Sequence, residues 1–345
     1  MKLAAVLAVG AMALAACGGG KSVTGGSDSS DDKKSVKVGL AYDIGGRGDK
    51  SFNDAAFAGL EKVKKDLNVE VKDLSAKANE PDSDKEERLR LLAKGGYNPV
   101  IGVGFAYAGP LTKVAKEFPD VKFGIVDGVV ENADNVANLV FAEHEGSFLV
   151  GAAAALKSKT GSVGYIGGCL VPLLQKFEAG FVAGAKAANP NVKLQSKYLS
   201  TTAQKCSGFN DPAAGRTTAT GMYDGGADVI FAAAGGSGSG VFQAAAAKKT
   251  WAIGVDSDQY QSADAAVKEV ILTSMLKRVD VAVFDFVKSV GEDKFAKGTK
   301  VFNLKVDGVG YSTSGGKVDD IKSKLDDYKQ QIIDGKITVP EKPTA

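Results

Sequence analysis

The chain has 345 residues, 44% of them hydrophobic and 24% charged, with 43 glycines, which is enough for one large domain or two lobes of ordinary size. Lysine plus arginine (43) nearly balance aspartate plus glutamate (41), and no long basic run occurs, so the charge pattern gives no reason to expect nucleic acid as a partner. A single histidine, His144, leaves nothing for a second histidine ligand or a His-rich relay.

Residues 1–17, MKLAAVLAVGAMALAAC, place one lysine before an apolar stretch too short to span a bilayer and end on small residues, the pattern of an export signal. Leu14-Ala15-Ala16-Cys17 resembles a bacterial lipobox, which would make Cys17 a diacylated N-terminus on the extracytoplasmic face of the cell membrane. The alternative is an ordinary secretory signal cut near an A-x-A site, with Cys17 incidental. Residues 18–35 are Gly/Ser/Asp-rich and cannot bury a core, as expected of a tether. Within them Gly20-Lys21-Ser22 mimics the end of a phosphate-binding loop, but it lacks the upstream glycine and a preceding strand. If Cys17 carries lipid, Cys169 and Cys206 remain as an even pair in an exported protein, which favours a disulfide over two buried thiols.

From Ser35 onward strand and helix patterns alternate. SVKVGLAYD reads as a strand, SFNDAAFAGLEKVKKDL as an amphipathic helix, NVEVKDLSA as a strand and DSDKEERLRLLAKGG as a helix. PVIGVG, AGPLTKVAKEF and VKFGIVDG continue the alternation. The pattern restarts with the helix HEGSFLVGAAAALKS, whose His144 is expected at the surface near the helix N-terminus. The strands SVGYIGG, VKLQSKYLS, ADVIFAAAG and TWAIGVDSD follow, interleaved with helices from PLLQKFEAGFVAGAKAAN, DPAAGRTTATGMYDGG and SGVFQAAAAKK. Two βα sets of similar size argue for two doubly wound α/β lobes, and EVILTSMLKRVDVAVFDFVKSV and VFNLKVDGVGYS are expected to cross back between them.

In such sheets ligands sit beyond the carboxyl ends of the strands. Asp43, Asp127 and Asp256 stand at three of those ends, and glycines at Gly102–Phe105, Gly167–Gly168 and Gly235–Gly236 stand at three others. Carboxylates repel phosphate and accept from hydroxyl donors, so the glycine turn DIGGRGDKS, whose spacing also departs from G-x-G-x-x-G, is not read as a phosphate loop. Each aspartate taken alone could equally be a helix N-cap.

VGLAYDIGGRGDKSFNDAAFAGLEKV, GADVIFAAAGGSGSGVFQAA and WAIGVDSDQ together resemble the basic membrane protein (Bmp/PnrA-like) lipoproteins, substrate-binding components of ABC importers for nucleosides. The resemblance runs from about Val36 to about Ile337. It implies two Rossmann-like lobes of the type I periplasmic-binding-protein kind joined by a three-strand hinge. Lobe 1 would span 36–145 with a return segment near 275–303, and lobe 2 would span 146–274 with a C-terminal segment at 304–345.

The resemblance also implies a purine nucleoside as ligand, permease and ATPase subunits as partners, and no cofactor, metal or catalysis. It puts Asp43 and Asn53 at the base, with Phe52 stacking on one face and Phe209 of SGFNDP on the other. Asp127, Gly235, Asp256 and Lys277 would surround the ribose. Phe52 could instead belong to the apolar face of its helix, and Lys277 could be an exposed helix lysine in MLKRVD. Two other functions stay open from the residues: a lipid-anchored nucleoside or sugar sensor, and a nucleoside hydrolase. The hydrolase would need a denser aspartate cluster than DIGGRGDKSFND supplies. GGSGSG at 235–240 does not supply the elbow of a serine hydrolase.

Overall fold

A computed structural model describes residues 36–77, 80–201 and 206–343 of the protein. The expected signal at 1–17, the lipidation candidate Cys17 and the 18–35 tether lie outside the described residues. Two six-stranded sheets, each covered by helices, form within one unit spanning Ser35–Ala345.

In the first lobe, β1 (Lys37–Ala41), α1 (Phe52–Leu67), β2 (Glu70–Leu74), α2 (Asp82–Lys94), β3 (Val100–Val103), α3 (Ala108–Glu117), β4 (Phe123–Val126) and β5 (Val136–Phe141) succeed one another. In the second come α4 (Glu143–Lys157), β6 (Ser162–Gly167), α5 (Pro172–Ala188), β7 (Lys193–Tyr198), α6 (Pro212–Asp224), β8 (Val229–Ala233), α7 (Gly238–Lys248) and β9 (Trp251–Asp256). Two short helices, α8 (Gln259–Ser262) and α9 (Ala265–Lys268), lead into β10 (Ile271–Lys277). The chain then returns to the first lobe as α10 (Val279–Gly291) and β11 (Gly298–Phe302), and ends in the second as β12 (Val309–Tyr311) and α11 (Lys322–Ile333). Among the described residues no helix is long and apolar enough to cross a membrane.

The first sheet runs β11-β5-β4-β3-β1-β2 and is parallel throughout. The second runs β12-β10-β9-β8-β6-β7, with only β12 antiparallel. Central strands β3, β4, β6 and β8 are buried along their length, as sheets covered on both faces require. The chain crosses between lobes three times, at Phe141–Glu143, Lys277–Val279 and Phe302–Val309. Phe141 and Phe302 stack across two of these crossings with centroids 5.2 Å apart, and Ala142 N–H donates to Phe302 O at 3.0 Å.

Helix contacts explain the small residues. A Cβ at Gly184 would lie 1.9 Å from Phe148 O, and one at Gly180 would lie 2.1 Å from His144 O, so α5 and α4 pack backbone to backbone only because these positions are glycine. His144, the second residue of α4, is half-buried beneath this contact rather than on the surface. Burial depresses its pKa, and Nδ1 has no hydrogen-bond partner among the described residues.

Candidate functional site

The carboxyl ends of the two sheets face one cleft of about 570 Å3, a volume that includes the space open to solvent. The structure brings all eight expected ligand residues into it: Asp43, Phe52, Asn53, Asp127, Phe209, Gly235, Asp256 and Lys277. It adds residues the sequence reading did not name, among them Asp49 and Phe177, and includes Phe105 from the strand-end stretch 102–105.

From the first lobe, Asp43 follows β1. Its Oδ1 accepts from Ile44 N–H at 2.7 Å, and Oδ2 takes no bond from the described residues. Gly104, at φ +105°, leaves room for that carboxylate, since a Cβ there would lie 2.0 Å from Oδ2. Burial pushes the Asp43 pKa up to about 6 against the pull of the Ile44 N–H. The strand end is braced from behind: Tyr107 Oη donates to Tyr42 O at 3.0 Å and accepts from Arg88, which is itself paired with Glu80.

Asn53 lines the cleft, but its amide is spent. Oδ1 accepts from Asp43 N–H at 3.2 Å, and Nδ2 donates to Asp49 Oδ2 at 3.0 Å. Asp49 in turn caps α1, accepting from the N–H groups of Ser51, Asn53 and Asp54 at 2.9, 2.9 and 3.1 Å. Together they fix the turn that carries Phe52, the first residue of α1, and hold its ring at the cleft. Of the two base-facing groups expected, Asp43 keeps an unused acceptor and Asn53 keeps none of its polar atoms free.

From the second lobe, Phe209 sits in the turn Ser207–Phe209, tied down on both sides. Cys169 and Cys206 are disulfide-bonded, and Ser237 Oγ donates to Gly208 O at 2.7 Å while accepting from Asp211 N–H at 2.7 Å. Gly235 lines the cleft at φ +54°, and a Cβ there would approach Phe209 O to 3.1 Å.

At the floor, Lys277 ends β10 and is 2% exposed, so it is a strand residue of the interior and not an exposed helix lysine. Its Nζ donates to Asp127 Oδ2 and lies 3.1 Å from Glu143 Oε1, while the rings of Phe141, Phe52 and Phe177 surround it with centroids at 5.0, 5.2 and 5.3 Å. Burial opposes the charge on Lys277, but Asp127, Glu143 and Asp256 outweigh it and raise its pKa. The same burial raises the pKa values of Asp127 and Glu143, against the pull of Lys277, and lifts Asp256 to about 6 against Lys277 and Ser51.

Three carboxylates around one ammonium leave acceptors to spare. Among the described residues, Asp127 Oδ1 and Glu143 Oε2 are buried without a partner, and Glu143 Oε1 has its ion pair but no aligned hydrogen bond. Asp127 and Asp256 both hold the left-handed backbone conformation, at φ +62° and +63°, which re-aims the side chain where each strand ends. Glu143 was missed because nothing in AEHEGS marks it: it is the first residue of α4, and only the chain crossing brings it to Lys277.

Such a cleft, walled by both lobes and spanned by crossings at its base, defines a two-lobed solute-binding protein of the type I periplasmic-binding-protein kind. The solved structure of an ABC transporter solute-binding protein from Aeropyrum pernix K1 is similar, with a TM-score of 0.76, 30% identity, and coverage of 88% of this chain and 94% of that one. A sequence model of the Bmp family, described as ABC transporter substrate-binding protein PnrA-like, matches residues 36–343, and the chain belongs to that family. Similar relatives include a CD4+ T-cell-stimulating antigen of Listeria innocua, 36% identical over 99% of this chain and 98% of that protein. The protein called ABC transporter nucleoside-binding protein BmpA in Lactococcus lactis is 35% identical over 98% of this chain and 99% of its own length.

Proposed function

We propose that this substrate-binding protein captures a purine nucleoside outside the cytoplasm and delivers it to the permease and ATPase of an ABC importer, held at the membrane by lipid on Cys17. The observation that carries the reading is the combination, in one cleft, of oxygens on Asp43, Asp127 and Asp256 that accept no hydrogen bond from the described residues and aromatic side chains from both lobes. The oxygens call for a hydroxylated ligand, because an ionised carboxylate only accepts. Phe52 and Phe209 call for a flat one, and stacking contributes on the order of 1–3 kcal/mol per base by analogy with nucleic-acid sites. A free sugar satisfies the first demand and leaves the rings unused; a nucleoside meets both. The nucleoside-binding name of the Lactococcus lactis relative supports the same choice.

In this reading Phe52 and Phe209 cover the base, Asp43 accepts from it, and Asp127, Asp256, Gly235 and Lys277 take the ribose. Asn53 serves by holding Asp43 and the Phe52 turn. Binding is closure of two preformed lobes over the ligand, with no covalent chemistry. Mass spectrometry of small molecules released when the purified protein is denatured is expected to find a purine nucleoside; a free sugar or a nucleotide in its place would overturn the reading. For the anchor, Cys17→Ala is expected to shift the processed protein from the membrane to the soluble fraction, because two or more acyl chains hold firmly where one is marginal. Unchanged membrane association would refute lipidation at Cys17.

A further inference from the structure

The two lobes touch directly at the mouth of the cleft, and one of these contacts ends on a ligand residue. Ser51, fully buried at the start of α1 in the first lobe, places its Oγ 2.6 Å from Asp256 Oδ2 and 3.2 Å from Val255 O, both in the second. A hydroxyl has one proton, and the shorter contact to the charged acceptor takes it. The hydroxyl has little freedom to turn away. Ser51 N–H donates to Asp49 Oδ1 at 2.9 Å, Ser51 O accepts from Ala55 N–H of its own helix and from Ser257 Oγ, each at 2.9 Å, and Lys50 O accepts from Gln259 Nε2 at 3.0 Å. Lys50 Nζ adds a pair with Asp264 across the same junction at 2.9 Å. Asp256 is 7% exposed, and its Oδ1 accepts no bond from the described residues.

We propose that Ser51 is a positioning residue whose hydroxyl, brought onto Asp256 from the opposite lobe as the cleft closes, turns the other carboxylate oxygen toward the ligand's sugar hydroxyls and so couples closure to sugar recognition. The proposal rests on the nucleoside reading above. When the lobes part, Ser51 leaves with α1 and Asp256 loses its only side-chain donor among the described residues, so the carboxylate is fully oriented in the closed form alone. A ligand hydroxyl that uses Asp256 therefore favours the closed form, because only differential affinity shifts a conformational equilibrium. Ser257 bridges the lobes at the same place without touching the carboxylate, which supplies the control.

The test is titration calorimetry on ligand-stripped wild type, Ser51→Ala and Ser257→Ala, first with adenosine, inosine and guanosine, then with the tightest of these beside its 2′,3′-dideoxy analogue. Ser51→Ala is expected to weaken the ribonucleoside about ten-fold or more, the effect of losing a hydrogen bond to a charged group, and the dideoxy analogue by about three-fold or less. Ser257→Ala is expected to weaken both ligands by the same factor. Equal losses for the two ligands in Ser51→Ala, no loss at all, or the same sugar dependence in Ser257→Ala would overturn the role of Ser51 while leaving nucleoside capture intact. A wild-type protein that binds none of the three nucleosides would remove the reading beneath the proposal, and the proposal with it.

Discussion

Asp127 and Asp256 occupy equivalent places in two lobes that share no sequence register: Asp127 directly follows β4, Asp256 is the last residue of β9, and each has turned into the left-handed region. Their type and position could be read from the sequence because a carboxylate directly after a continuous apolar strand is conspicuous. What surrounds them could not. Glu143, Ser51 and Phe177 come from a lobe crossing, a helix start and the face of α5, and their contacts to the site span 134, 205 and 100 positions of sequence (277 − 143, 256 − 51, 277 − 177). The acidity of the site carries a pH signature. Asp256, raised to about 6 from 3.8 chiefly by burial, keeps its proton in the folded state over a window where the unfolded chain has lost it. Its contribution to stability is therefore complete below about pH 4 and is lost as pH rises through about 6. Asp256→Asn, which does not titrate, should gain on the ligand-free wild type across that window by about 2–3 kcal/mol, at about 1.4 kcal/mol per unit of pKa. Urea unfolding of both proteins from pH 4 to 7.5 measures the gap, and a gap independent of pH would refute the raised pKa.

At the scale of elements, the alternation of apolar strands and amphipathic helices carried most of the architecture, but β5 and α11 escaped it, as did the one-turn helices α8 and α9. β5 is interrupted by Asn138, which reads as a turn residue but is buried, its Oδ1 accepting from Val130 N–H at 3.0 Å and its Nδ2 donating to Val130 O at 3.3 Å. The strand is apolar to the core and polar to one loop, and only the fold shows which. α11 is mostly polar and buries just Leu325 and Ile332, too thin a stripe to stand out. The turn that presents Phe209 depends on a covalent link that the cysteine count suggested without fixing. Cys169 and Cys206 are 37 positions apart, and closing a loop of that size lowers unfolded-state entropy by about 3–4 kcal/mol in the chain-entropy model. Reduction, or the double variant Cys169→Ala/Cys206→Ala, should cost stability on that order and weaken ligand binding, because Phe209 lies three residues beyond Cys206. Denaturant unfolding with and without reductant checks the first effect and calorimetry the second; full stability and unchanged affinity after reduction would show that the turn holds without the bond.

Across the whole molecule, the two sheets supply a rigid frame and the three crossings supply the hinge. Lys277 belongs to both, ending β10 just before the chain re-enters the first lobe and bonding to Asp127 of that lobe. On the proposed function, ligand site and hinge share a side chain, and filling the site is coupled to the position of the lobes. Closure also explains why the cleft can be rich in carboxylates: a ligand that donates hydroxyls satisfies them, and one that brings further negative charge does not. The direct test is titration calorimetry of ligand-stripped wild type with adenosine, inosine, guanosine, ribose and AMP under one set of conditions. Nucleosides should bind far more tightly than ribose, which forfeits both stacking faces, and more tightly than AMP, whose phosphate enters a site holding Asp43, Asp127 and Asp256 with Lys277 as its one lining cation among the described residues. Ribose or AMP binding as well as every nucleoside would contradict the assignment of the cleft.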